Sequence, residues 1–138
     1  MTGEPRLHHV VFAVAPQRWQ TTTQMFTELG FAFNAGELTE LGVQVQLDWD
    51  RGVELISPLP GSTAAVAASV NEFLDRNGDG VYTVVLQVPD GAAAETVTDR
   101  YGAMIRFRQG FSGDGTYLDE IDLSVLGLPL TLLATNVP

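Results

Sequence analysis

One motif occurs twice in this chain. His8-His9-Val10-Val11-Phe12-Ala13-Val14 returns as Tyr82-Thr83-Val84-Val85-Leu86-Gln87-Val88, and Val53-Glu54-Leu55-Ile56-Ser57 returns as Leu130-Thr131-Leu132-Leu133-Ala134. The paired segments are nearly equally spaced, so the two halves run in register. A duplicated supersecondary unit restricts the fold more than any single residue can. The copies differ where chemistry is concerned. The first half carries His9 and Glu54, which can ligate a metal or move protons. At the matching positions the second half carries Thr83 and Thr131, which do both poorly.

The pattern of apolar residues gives each half the same elements. Leu7–Val14 is β-branched, aromatic and short, as a buried strand is. Pro16 suits a first helical turn, Trp19, Met25, Phe26 and Leu29 share one helical face, and Gly30 is a stop. Phe31–Phe33 opens a second strand. Val43, Val45, Leu47 and Trp49 alternate with Gln44, Gln46 and Asp48, which predicts a half-buried strand. Arg51-Gly52 turns the chain into a fourth strand, Val53–Ile56. Pro58-Leu59-Pro60-Gly61 then interrupts, and Ser62 or Thr63 can cap a linker helix at about 62–76. The order repeats: a strand at Val81–Val88, a helix at Gly91–Tyr101 capped by Asp90, and strands at Met104–Phe107, Tyr117–Leu123 and Leu128–Leu133. The expected fold is α+β, one domain over 1–138 made of two tandem βαβββ modules, about 7–58 and about 81–134.

Composition narrows the function. The chain has no cysteine, and all seven of its basic residues are Arg. Disulfides, thiolate catalysis, Schiff-base lysines and the Walker lysine are therefore excluded. A net charge of -10 argues against a nucleic-acid partner, because such binding neutralises phosphates. No apolar run approaches the length of a membrane helix, and no signal peptide is visible, so a cytoplasmic location is expected. Asp75-Arg-Asn77-Gly-Asp79-Gly80 imitates half of a calcium loop but runs into a strand, and it reads as a turn. Gly110-Phe-Ser112-Gly113 is not a nucleophile elbow.

Two βαβββ modules, with a histidine opening the first strand and a carboxylate in the fourth, resemble the vicinal oxygen chelate superfamily of glyoxalases, extradiol dioxygenases and bleomycin resistance proteins. The resemblance spans about Leu7 to Ala134. Phe73–Asp90, with its Gly78-Asp79-Gly80 turn, is most similar to the methylmalonyl-CoA epimerase branch. The resemblance implies a glyoxalase-like fold, a curled mixed sheet around a cleft. A divalent metal would be held there by the first and fourth strands of each module. Carried onto this chain, the four positions are His9, Glu54, Thr83 and Thr131. Only His9 and Glu54 are good metal ligands, and a catalytic metal usually has three from the protein. The expectation is a degraded site with no cofactor, His9 and Glu54 remaining as the metal pair if an ion binds.

The resemblance implies a small organic ligand and a homodimer. The function expected is proton transfer next to a carbonyl, of the isomerase or lyase kind, by His9 and Glu54. Glu37 and Glu40 are further catalytic candidates, because epimerase relatives place a proton-shuttling carboxylate in that region; otherwise they are solvated loop acids. Thr83, Thr131, Gln44, Gln46, Trp49 and Arg106 are the candidate ligand-binding residues. Threonine also simply favours strands, and Arg106 also suits a solvated edge. The competing expectation is a metal-free binding or antibiotic-sequestering protein, with Trp49, Phe111 and Tyr117 as stacking surfaces. His8 reads as a structural histidine.

Overall fold

A computed structural model describes residues 4–137. Its eight strands and three helices follow the duplicated order. The first module comprises β1 (Arg6–Ala13), a 3-10 turn at Pro16–Arg18, α1 (Trp19–Glu28), β2 (Asn34–Leu38), β3 (Val43–Asp48) and β4 (Val53–Pro58). After α2 (Ala65–Asn77) come β5 (Gly80–Gln87), α3 (Gly91–Arg100), β6 (Met104–Gly113), β7 (Thr116–Val125) and β8 (Leu128–Thr135). The fold is α+β, with two βαβββ modules. By contacts the chain divides into a unit at His9–Tyr82 and a unit from Thr83 onward together with the residues up to His8. The linking helix α2 belongs to the first.

In the first unit β1 runs parallel to β4, and β4, β3 and β2 follow in antiparallel steps. The register sorts every side chain by face, because neighbours across a ladder point the same way. Val11 pairs with Glu54, which pairs with Leu47. His9, Val11, Ala13, Glu54 and Ile56 therefore share one face. Phe12, Leu55, Gln46, Ser57 and Gln44 share the other, which the helices cover. Phe12 meets Phe26 of α1 at 5.8 Å, and Tyr82 meets Phe73 of α2 at 5.5 Å. Tyr82 also shares a 2.6 Å hydrogen bond with Ser69.

The second unit repeats this plan: β5 is parallel to β8, and β8, β7 and β6 are antiparallel. Val85 pairs with Thr131 as Val11 pairs with Glu54. Ile121, Leu123, Val125 and Leu132 form its apolar core, with Val88, Ala94 and Leu130 packed against them. The Asp90 side chain accepts the Ala93 N–H at 3.0 Å, the expected cap of α3.

Several local expectations are corrected. Phe31 and Phe33 precede β2 instead of opening it. Their rings gather on Phe26 at 5.4 and 5.9 Å, which pulls the segment out of the ladder. Met25 and Leu29 are 51% and 68% exposed, and Trp19 and Phe26 of the expected α1 stripe are only half-buried. Neither Ser62 nor Thr63 caps α2. The helix starts at Ala65, and the Leu41 carbonyl accepts the N–H of Ala67. That close approach needs Gly42, where a Cβ would lie 2.0 Å from Ser62 Oγ. Strand β6 runs on to Gly113, well beyond the expected Phe107, and β7 runs slightly past its expected ends, from Thr116 to Val125.

Candidate functional site

His9 and Glu54 meet. The fourth residue of β1 and the second of β4 share a face across a parallel ladder, and His9 Nε2 lies 3.0 Å from Glu54 Oε1. Trp49, just past β3, completes the group. Its indole N–H donates to the same Glu54 Oε1 at 3.2 Å, and its ring stacks on the imidazole at 4.9 Å. His9 is only 2% exposed, whereas the Glu54 side chain retains 14%. The carboxylate is thus the member of the pair that reaches the surface. Its second oxygen, Oε2, takes no hydrogen bond among the described residues.

Asp48 sits beside this group in sequence but serves the backbone. It accepts the Ala32 N–H at 2.9 Å and pairs with Arg51. The Ala32 bond, aided by Arg51, holds its carboxyl below the usual range. Asp79 is likewise structural. It takes Arg18 Nε at 2.8 Å and the Ala15 N–H at 3.3 Å, and the Arg18 bond lowers its pKa.

The second unit builds the counterpart from hydroxyls. Thr83 Oγ1 and Thr131 Oγ1 are buried 3.0 Å apart, at the register positions of His9 and Glu54. Asp122 of β7, directly across from Thr131, was not expected. Its carboxylate lies 3.5 Å from Thr131 Oγ1 and 2.5 Å from Arg106 Nη2. Burial pushes the Asp122 carboxyl above its usual range, outweighing Arg106 and Thr131. The signal was present in sequence: Glu120, Asp122 and Ser124 alternate with Ile121, Leu123 and Val125.

The structure does not bring every candidate to these groups. Gln44 and Gln46 pair with Ser57 and Leu55, so they lie on the face opposite Glu54. Glu37 pairs with Gln44 and shares that face, and Glu40 is exposed in the turn after β2. One-residue alternation decides this: β3 points its apolar Val43, Val45 and Leu47 towards the Glu54 side. Gln44, Gln46 and Glu37 thus stand on the face opposite the His9–Glu54 pair, and Glu40 is exposed.

Neither a protein-family model nor a curated protein matches the sequence. Solved structures match its fold. A hypothetical protein from Bacillus halodurans C-125 is 14% identical, with 98% of this chain and 97% of that one covered and a TM-score of 0.70. Methylmalonyl-CoA epimerase from Mycobacterium tuberculosis is 20% identical over 96% of this chain and 88% of its own, at 0.65. A variant of the Streptomyces coelicolor epimerase, in complex with 2-nitronate-propionyl-CoA, is 19% identical over 99% and 100%, at 0.62. This chain has the vicinal oxygen chelate fold. At such identities the likeness is one of fold, and the site must be argued from its own residues.

The divalent ion associated with the vicinal oxygen chelate fold does not suit the donors present. Among the described residues no three His, Cys, Asp or Glu side chains are grouped to share an ion. His9 and Glu54 bond to each other, and Thr83 and Thr131 bond to each other. Threonine hydroxyls are neutral and protonated, poor substitutes for an imidazole and a carboxylate.

Proposed function

We propose that the protein binds a small organic ligand and transfers a proton at a carbon next to its carbonyl, through His9 and Glu54 and without a divalent metal. The carrying observation is the 3.0 Å His9–Glu54 bond, with Trp49 fixing both partners. Glu54 Oε2 is the acceptor. It takes the proton from carbon, and the C–H electron pair remains on the ligand as an enolate. His9 holds Oε1 and balances the charge as the carboxylate gains and returns the proton. Trp49 keeps the carboxylate from rotating and shields the pair from water. A positioned acid–base group of this kind is worth about 10²–10⁴-fold in rate. The comparison gives modest support, since two of the structural neighbours named above are epimerases of an acyl-CoA.

The test is proton exchange in deuterium oxide, followed by NMR, with methylmalonyl-CoA, propionyl-CoA, pyruvate and lactaldehyde as probes. The expected result is exchange at one of them, abolished in Glu54→Gln and reduced at least about 100-fold in His9→Ala. Equal exchange in the wild type and Glu54→Gln for every probe would overturn the reading.

A second reading, sequestration of a cationic compound, draws on a different observation. The second unit has an open cleft of about 710 Å³ between the start of α3 and strands β6 and β7. It is lined by Asp90, Glu95, Asp119 and Glu120 against one arginine, Arg108, with Tyr117 at its side. Glu95 and Arg108 already form a two-pronged ion pair, which holds the Glu95 carboxyl low. Tight binding of a cationic aromatic dye at this cleft, with no exchange on any probe, is the outcome that reading requires.

A further inference from the structure

We propose that the open cleft of the second unit is a docking seat for a basic helical segment of a partner protein. This is independent of proton transfer by His9 and Glu54, and it concerns the face opposite the Thr83–Thr131 pair.

The first unit shows what belongs at this place. Its helix α2 packs on β4, with Ala67 and Val70 buried. The Ala67 N–H donates to the Leu41 carbonyl at 3.1 Å, which anchors the start of α2 to the turn before β3. On the face that α2 covers, Ser57 is fully buried and pairs with Gln44. The equivalent ladder pair in the second unit is Ala134 with Asp119. The equivalence continues past the ladder. Two residues after Ser57, the Leu59 N–H donates to the Gly42 carbonyl at 2.7 Å. Two residues after Ala134, the Asn136 side chain accepts the Tyr117 N–H at 2.8 Å. Where the first unit seats a helix, the second has an open cleft lined by Gly91, Gly110, Asp119 and Ala134.

Floor and charge decide which helix fits. The floor is small: a Cβ added at Gly91 would come within 3.5 Å of the Ala134 Cβ. Residues of that size let a second backbone approach closely. The charge is one-sided. Glu95 and Arg108 neutralise each other. Asp90 uses one oxygen to cap α3, and Asp119 has no hydrogen bond or ion pair among the described residues. Gly110 leaves the room in which the Asp119 carboxylate lies, since a Cβ there would stand 2.5 Å from its Oδ1. In a chain of net charge -10 this rim repels acidic segments and attracts Lys and Arg. An open cleft buries less of a small molecule than an enclosed pocket does, so it favours an occupant with its own length. The seat therefore takes an amphipathic helix, with small apolar side chains on the floor and cations at Asp90 and Asp119.

The experiment is fluorescence anisotropy of a labelled peptide titrated with the full chain. The peptide is the stretch Gly61–Asn77 carrying Glu72→Lys and Asp75→Lys, which copies the helix of the first unit with two acids exchanged for cations. Saturable binding is expected, weakening as salt rises. The unaltered stretch should bind more weakly. Asp119→Arg in the protein should weaken binding about tenfold or more, and Asp119→Asn should fall between. Ala92→Arg, at an exposed position on the same cleft, is a second variant with the same expected loss. Amide shifts of the ¹⁵N-labelled chain should fall at Ala92, Gly110, Asp119 and Ala134. The proposal is overturned by any of three results: no saturable binding, equal binding of a peptide whose helix is broken by Val70→Pro, or unchanged affinity in both Asp119→Arg and Ala92→Arg. Shifts confined to Gln44 and Ser57 would overturn it too. A cationic dye that binds the cleft where the peptide does not would assign the cleft to a small cation instead. None of these results touches the exchange measurement on Glu54→Gln, so the two readings fail separately.

Discussion

Trp49 does two things to the same pair. It donates an N–H to Glu54 Oε1 and lays its ring on the His9 imidazole. These separate by substitution. Trp49→Phe keeps a ring and loses the N–H, whereas Trp49→Ala loses both. The stacking contribution is on the order of 1 kcal/mol, so the Ala variant should be less stable than the Phe variant by at least about that much in urea denaturation. Asp122 gives a prediction with a sign. Its folded pKa is raised above the ordinary 3.8 by burial. In the window above 3.8 and below that raised value the folded protein holds a proton that the unfolded chain has released. Stability attributable to Asp122 is therefore greatest in acid and is lost as pH rises through this window. Asp122→Asn, which cannot ionise, should flatten that part of the stability–pH curve. A slope unchanged in the variant would show that another group causes it. Asp79 behaves oppositely: Arg18 lowers its folded pKa, so its contribution is lost as pH falls.

At the scale of elements, the two parallel pairings β1–β4 and β5–β8 are superposable in register. Val11 faces Glu54 as Val85 faces Thr131, and the polar atoms two residues earlier close across a 3.0 Å gap in both. The double variant Thr83→His with Thr131→Glu should therefore form a second imidazole–carboxylate hydrogen bond, visible in a crystal structure of the variant. An imidazole turned away from the carboxylate would show that the equivalence ends at the backbone. Removing the Asp90 cap of α3 with Asp90→Ala should cost about 1 kcal/mol, read as faster amide exchange in the first turn. The duplicated strands were legible in sequence because β-branched runs and strict alternation survive any context. The His9–Glu54 pairing was legible because the vicinal oxygen chelate resemblance sets the first strand of a module beside its fourth. What was hidden depended on partners far away in the chain. Phe31 and Phe33 read as strand but are captured by Phe26. Gln44 and Gln46 read as cleft-lining because alternation alone cannot say which face of β3 is which. Asp122 went unnoticed because its importance comes from standing across from Thr131, a pairing that only the β7–β8 ladder reveals.

For the molecule as a whole, charge and burial set the terms. Among the described residues Arg18, Arg51, Arg76, Arg106 and Arg108 lie in ion pairs, yet acidic residues outnumber basic ones by enough to leave a net charge of -10. Exposed pairs contribute little, and self-repulsion of the excess acids opposes the compact state. Moderate salt should therefore raise the melting temperature, and a fall would show that the ion pairs outweigh the repulsion. Leu55, fully buried on the helix side of the first unit, should be among the costliest positions to truncate, at about 2–5 kcal/mol for Leu55→Ala. The polar positions of this vicinal oxygen chelate fold close into one hydrogen-bonded pair per unit, and the central proposal is that the protein works without a divalent ion. The most direct measurement is the metal content of protein purified without chelator or metal-affinity resin, with a thermal-shift series over magnesium, manganese, cobalt, nickel and zinc on the same sample. The account predicts no stoichiometric metal and no stabilising shift. Near-stoichiometric metal, with a shift that disappears in His9→Ala, would contradict it.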